Sequence, residues 1–168
     1  ATVTADTAAK LNAALKDASS ADVLTLTLSA GTASAKDLIS LDGKTSFAVG
    51  AGAITAITGT FAEVQKVVDA GTANTITLNA NVNYTISGTV TAAQADIIAN
   101  STTGVVTATV AADNAKALND ALTDSTFPVG GNAYKLTVND TTANAADLVD
   151  LDAKTSVTVN AAAIKNIE

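Results

Sequence analysis

Two stretches of this chain write the same phrase. AKDLISLDGKTSFAVGAGAI occupies 35–54 and AADLVDLDAKTSVTVNAAAI occupies 145–164, at a constant offset of 110 (Asp37 to Asp147, Ile54 to Ile164). A second pair, VTADTAAKLNAAL from Val3 and VAADNAKALNDAL from Val110, stands at an offset of 107. The difference places a three-residue insertion around TFPVGGN (126–132), which holds the only proline and a glycine pair and is expected to be an enlarged loop. A repeated phrase restricts the fold, because copies of one supersecondary unit bury their apolar faces most simply against each other.

Weaker copies lie between. TFAEVQKVVDAGTANTITL (60–78) and AAQADIIANSTTGVVTATV (92–110) each give a helical pattern followed by a strand pattern. Helical segments space apolar residues at i, i+3, i+4 and i+7, as in Ala8, Leu11 and Leu15. Strand segments alternate, as in VLTLTL, TITL, VTATV, KLTV and SVTV. Anchored on Leu11, Leu38, Val64, Ile97, Leu118 and Leu148, the helical segments recur every 27 residues or so, within the window of about 20–29 residues for leucine-rich-type coils. The longest step contains NANVNYTISGTV (79–90), expected to lengthen a strand or add a hairpin. Asp6, Ser34, Thr60, Thr91, Asp113 and Asn144 stand where N-caps belong. Gly43 and Gly104 stand where a left-handed residue would end a helix, although Ala153 replaces Gly43 in the second copy.

Parity separates the strand faces. Leu24, Leu26 and Leu28 oppose Thr25 and Thr27, and Val106, Ala108 and Val110 oppose Thr107 and Thr109. Phe47 with Val49, Leu136 with Val138, and Val157 with Val159 continue the scheme. A sheet covered by helices on both sides is apolar on both faces; these strands are apolar on one. The expectation is an α/β, two-layer, leucine-rich-repeat-like solenoid, with a parallel sheet on one side and short helices on the other. It would form a single array of about six helix–strand rungs over 1–168, with copies at 3–58 and 110–168 and a divergent middle copy at 59–109. A compact α/β or α+β sandwich is the alternative.

The grammar of a TAADL- or TFAEV-like helix, a TVTV-like strand and a linking AITAITGT (53–60) resembles the tandem repeats of giant cell-surface proteins of marine cyanobacteria, the Synechococcus swimming-motility type among them. The resemblance covers nearly the whole chain and implies a secreted or surface-attached structural or adhesive polymer. The chain opens on Ala1 and closes on AIKNIE, where another helix is due, so an excised part of a longer array is expected.

Chemistry is sparsely provided. The chain has no His, Cys, Met or Trp, and all nine basic residues are Lys. The common nucleophile–base pairs therefore cannot be assembled, and no enzyme is expected. A net charge of −7 argues against nucleic acid, and no apolar run is long enough to span a membrane. VGAGA (49–53) lacks the lysine of a phosphate loop.

Two polar constellations remain. LDGKT (41–45) and LDAKT (151–155) place Asp42 and Asp152, with Asp150 nearby, as a row of carboxylates for Ca²⁺. The plainer reading is a turn whose Asp satisfies backbone amides while Lys44 and Lys154 balance a helix C-terminus. No other cofactor is expected. Thr25, Thr27, Thr75, Thr77, Thr107, Thr109, Thr137 and Thr158 form a hydroxyl-bearing surface face. Thr is also simply a good residue for a solvated strand. The functional expectation is a spacer or scaffold module of an extracellular protein, its partners being neighbouring copies that stack end to end into a filament or surface layer. The alternative is an adhesin that holds cations or a surface such as a cell-surface polysaccharide, with ice binding through the Thr face as a third reading.

Overall fold

The structure is a computed structural model that describes residues 1–123 and 131–168. The enlarged loop expected at 126–132 falls largely on 124–130, outside the described residues. The helices are α1 (Ala8–Ala14), α2 (Ala35–Asp42), α3 (Phe61–Thr72), α4 (Ala92–Ala99), α5 (Ala115–Ala121) and α6 (Ala145–Ala153). Between them run β1 (Gly31–Ser34), β2 (Val49–Gly50), β3 (Ile54–Thr60), β4 (Ile76–Thr77), β5 (Asn83–Val90), β6 (Val106–Val110), β7 (Ala133–Lys135), β8 (Thr142–Ala143) and β9 (Asn166–Ile167). The fold is α/β, with a five-stranded parallel sheet ordered β1-β3-β5-β6-β7 and two two-stranded sheets, β2-β4 and β8-β9. Two compact units divide it, Ala1–Thr85 and Ile86–Glu168, each carrying one copy of the long phrase.

Each helix begins on a short polar cap, because the first amides of a helix have no partner inside it. Ser34, Thr60, Thr91 and Asn144 cap as expected. The other two caps are Thr7 and Asn114, one residue beyond the expected Asp6 and Asp113. Those two carboxylates instead accept the N–H of the cap residue itself, at 2.7 and 2.8 Å. Thr60 with Glu63 and Thr91 with Gln94 form complete capping boxes. Gly43 ends α2 in a right-handed conformation (φ −72°) rather than the expected left-handed one, so Ala153 is tolerated in the second copy. Gly104 is likewise not left-handed; among the described residues the non-glycine that adopts that conformation is Asn74, at φ 60° just after α3.

In the first unit β1 pairs with β3, placing Thr32 on Ala56 and Ala33 on Ile57, and β2 pairs with β4. In the second unit β6 pairs with β7, and β8 pairs with β9, placing Thr142 on Asn166 and Ala143 on Ile167. The β8–β9 register is the β1–β3 register moved by 110 residues. Isolated bridges such as Thr27 to Gly50 and Thr137 to Asn160 keep that offset. In all these pairs the partner lies 22–27 residues along the chain. One passage through strand and helix therefore returns the backbone beside itself. Helices pack in sequence too, α1 on α2 on α3 in the first unit, α4 on α5 on α6 in the second.

Several passages carry more strand than the alternation indicated. GTAS forms β1, and most of the stretch read as a link, AITAITGT, forms β3. Of the excursion at 79–90, Asn83–Val90 becomes one long strand, β5, with no hairpin. Alternation holds in β6, where Val106, Ala108 and Val110 are buried and Thr107 and Thr109 exposed. Helical anchors Leu11, Leu38, Val64 and Leu118 are buried, whereas Ile97 is 49% exposed and its neighbour Ile98 is buried.

Replacing Ile98 by Ala should cost about 2–5 kcal/mol through the cavity it leaves. Replacing Ile97 by Ala should cost under about 1 kcal/mol. Urea unfolding of the two variants checks the register of α4. A second expectation concerns Glu63, whose carboxyl lies below its ordinary value of 4.5 because the Thr60 N–H and then the Thr60 hydroxyl bond to it. A depressed folded-state value adds stability that is present above 4.5 and is lost as pH falls through the folded value. In an acid titration of unfolding, Glu63→Gln should remove that step.

Candidate functional site

In the polar phrase LDGKTS/LDAKTS the repeated residues make repeated bonds. Thr45 is buried, although it stands in a turn. Its Oγ1 donates to Leu24 O (2.7 Å) and accepts the N–H of Leu24 (3.1 Å) and of Phe47 (3.1 Å). Thr155 is buried too, donating to Tyr134 O at 2.7 Å and accepting the Val157 N–H at 3.1 Å. The next residues match: Ser46 N–H donates to Asp22 O and Ser156 N–H to Asn132 O, each at 2.8 Å. Both serine hydroxyls reach the same carbonyls, at 3.2 and 3.3 Å.

The lysines extend the pattern. Lys44 Nζ donates to the carbonyl of Leu15 at 2.7 Å, and Leu15 is the C-cap residue of α1. Lys154 Nζ donates to the carbonyl of Leu122, the C-cap residue of α5. A cation at the carbonyl-rich end of a helix is favourable. Each lysine, however, serves the helix of the preceding segment, not the one it follows.

Two further residues take part that the turn motif did not announce. Asn12 Nδ2 donates to Asp37 O (2.9 Å) and Asp37 Oδ1 (3.2 Å), and Asn119 Nδ2 to Asp147 O (2.7 Å) and Oδ1 (3.4 Å). Each leaves its own Oδ1 buried without a partner, a repeated polar cost. Their signal in the sequence was the matching asparagine in the pair offset by 107. Asn132, also unannounced, is buried with its Oδ1 accepting the Val106 N–H at 2.8 Å.

Just beyond Thr45 and Thr155 the alternation is interrupted at one inward position. Phe47 is 51% exposed and Val157 is exposed as well, so neither joins the aliphatic face; Val49 does. On the hydroxyl face, Thr25, Thr27, Thr75, Thr77, Thr107, Thr109 and Thr158 are exposed and Thr137 is half-buried.

The three aspartates do separate things. Asp42 accepts the Thr75 hydroxyl at 3.1 Å, beside a hollow of about 300 Å³. Asp150 lines a hollow of about 470 Å³ with Asn119, Asp120, Asp147 and Lys154. Asp152 faces another, of about 310 Å³, with Leu148 and Val149. Asp150 and Asp152 diverge because residues two apart on a helix point in opposite directions. Among the described residues no three carboxylates stand close enough together to hold a metal ion, and Ca²⁺ takes six to eight oxygens. No helix of the described residues is long and apolar enough to cross a membrane.

Comparison of the chain with protein-family models, with curated proteins and with solved structures finds no match.

Thr45→Val and Thr155→Val keep the shape but strand a buried carbonyl and at least one amide, so each should cost about 2 kcal/mol or more. Exposed Thr158→Val should change stability by less than about 0.5 kcal/mol. Guanidinium denaturation of the three single variants distinguishes these.

Proposed function

We propose that the chain is a structural module of an extracellular or cell-surface protein, whose work is length and spacing. In this reading its passages are rungs of a two-layer solenoid, each folding on the one before. The observation that supports it best is the pair of polar staples. Residues 110 apart, Lys44 and Lys154, Thr45 and Thr155, Ser46 and Ser156, bond to the same kind of backbone group one passage earlier. Their hydroxyls and ammonium groups are spent on neighbouring backbone rather than held ready for a ligand. The reading gives the chain no catalytic role, in keeping with a sequence that has neither His nor Cys.

An adhesin module is the second reading, favoured by the exposed hydroxyls of seven threonines on strands and turns. In that case cations at the Asp-bearing turns or a polysaccharide at the Thr face would be the partner. Thermal unfolding in millimolar Ca²⁺ and then in chelator separates the two. The spacer reading expects the same melting temperature in both; a rise of several degrees with Ca²⁺ would make adhesion through metal-bearing turns the primary role.

A further inference from the structure

The two copies of the long phrase differ in what lies on them, and the difference describes a binding partner. Resting on the stacked-rung reading, we infer that the outer face of α6, with the strand edge at 159–161, is a seat for a helix–strand rung of the type formed by residues 60–78. In the first copy Ala35, Leu38, Val49, Ala51 and Ile57 are all buried, in the unit where α3 packs on α2 and β4 pairs with β2. Their counterparts 110 residues on are uncovered: Ala145 is exposed, Leu148, Val159 and Ala161 are half-buried, and Ile167 is 64% exposed. Val149, on the same helix, is 68% exposed.

Polar groups mark the same seat. Val49 N–H and Ala51 N–H donate to Thr75 O (2.8 Å) and Thr77 O (3.0 Å). Among the described residues the amides of Val159 and Ala161 have no such acceptor. Asp42 accepts the Thr75 hydroxyl, whereas its counterpart Asp152 is exposed beside the apolar hollow. The partner's chemistry follows: a helix with the aliphatic face of Val64, Val67 and Ala70, then a short strand offering carbonyls at Thr75 and Thr77 and a hydroxyl to the aspartate. A glycine before that helix gives the closest fit, since a Cβ at Gly59 would stand 3.0 Å from the Ala35 Cβ. The partner is thus distinct from the α1 rung of a second copy, whose helix has seven residues where α3 has twelve.

The test extends the full chain after Glu168 with a second copy of its own residues 59–85, which continues the offset of 110. Hydrogen exchange of the Val159 and Ala161 amides should slow by about tenfold or more, as for amides newly buried in a ladder, and the melting temperature should rise. The same extension with Val64→Asp and Val67→Asp in the added segment should give neither effect. Unchanged exchange with the native extension would overturn the inference, and so would equal protection from an extension by residues 1–28. The Gly50 and Asn160 amides provide the reference for the underlying reading. If they stay protected while the extension fails, the seat is wrong and the stacked rungs stand; if they are unprotected in the unextended chain, the rungs fall as well.

Discussion

A two-residue strand such as Val49–Gly50 satisfies its backbone only through chain one passage earlier and one passage later. Gly50 N–H donates to Leu26 O, and Gly50 O accepts from Leu28 N–H. Val49 N–H turns the other way, to Thr75 O. No strand of this length is stable alone, and the five that consist of two or three residues, or the single-residue bridges between them, gain their order from parallel neighbours 22–27 residues away. Each passage is therefore conditional on the next, and the side chains that recur in the sequence are those that secure the condition.

The side-chain staples work because they act at points where a parallel ladder is weakest. Where strand gives way to turn, backbone groups lose their ladder partners, and Thr45 and Thr155 supply substitutes from inside the core. Where a short helix ends, its last carbonyls are unsatisfied, and a lysine from the following passage reaches back to one of them. The aliphatic interior adds area but little direction. Leu38, Leu41, Val64 and Val67 could pack in more than one register; the hydroxyls and the ammonium groups cannot.

Much of this was legible in the sequence. The six helices of the described residues fall where the apolar periodicity places them, because an apolar stripe is a local signal. Caps slipped by one at Asp6–Thr7 and Asp113–Asn114, where two adjacent side chains are both competent. Ile97 and Ile98 are similarly interchangeable on paper, and only packing chooses Ile98. The strand GTAS was not legible: it is small and polar, with no alternation, and exists because β3 lies beside it. At the polar phrase the sequence shows which residues recur but not which backbone groups they reach. Lys44 reads as balancing a helix C-terminus and does so for α1 rather than α2, and Thr45 carries no signal of its role, since nothing local reveals a carbonyl 21 to 29 residues earlier. Asp150 and Asp152 looked like one row in a line of text and diverge on a helix.

The most direct measurement is of scalar couplings across hydrogen bonds in the isotopically labelled chain. The expected couplings run from the Gly50 amide to the Leu26 carbonyl and from Ser46 to Asp22, with the same pattern from Asn160 to Leu136 and from Ser156 to Asn132. Couplings in both copies would establish that the repeated phrase is bonded to the passage before it. Couplings from these amides to other carbonyls, or in one copy and not the other, would contradict bonding of each phrase to the passage before it.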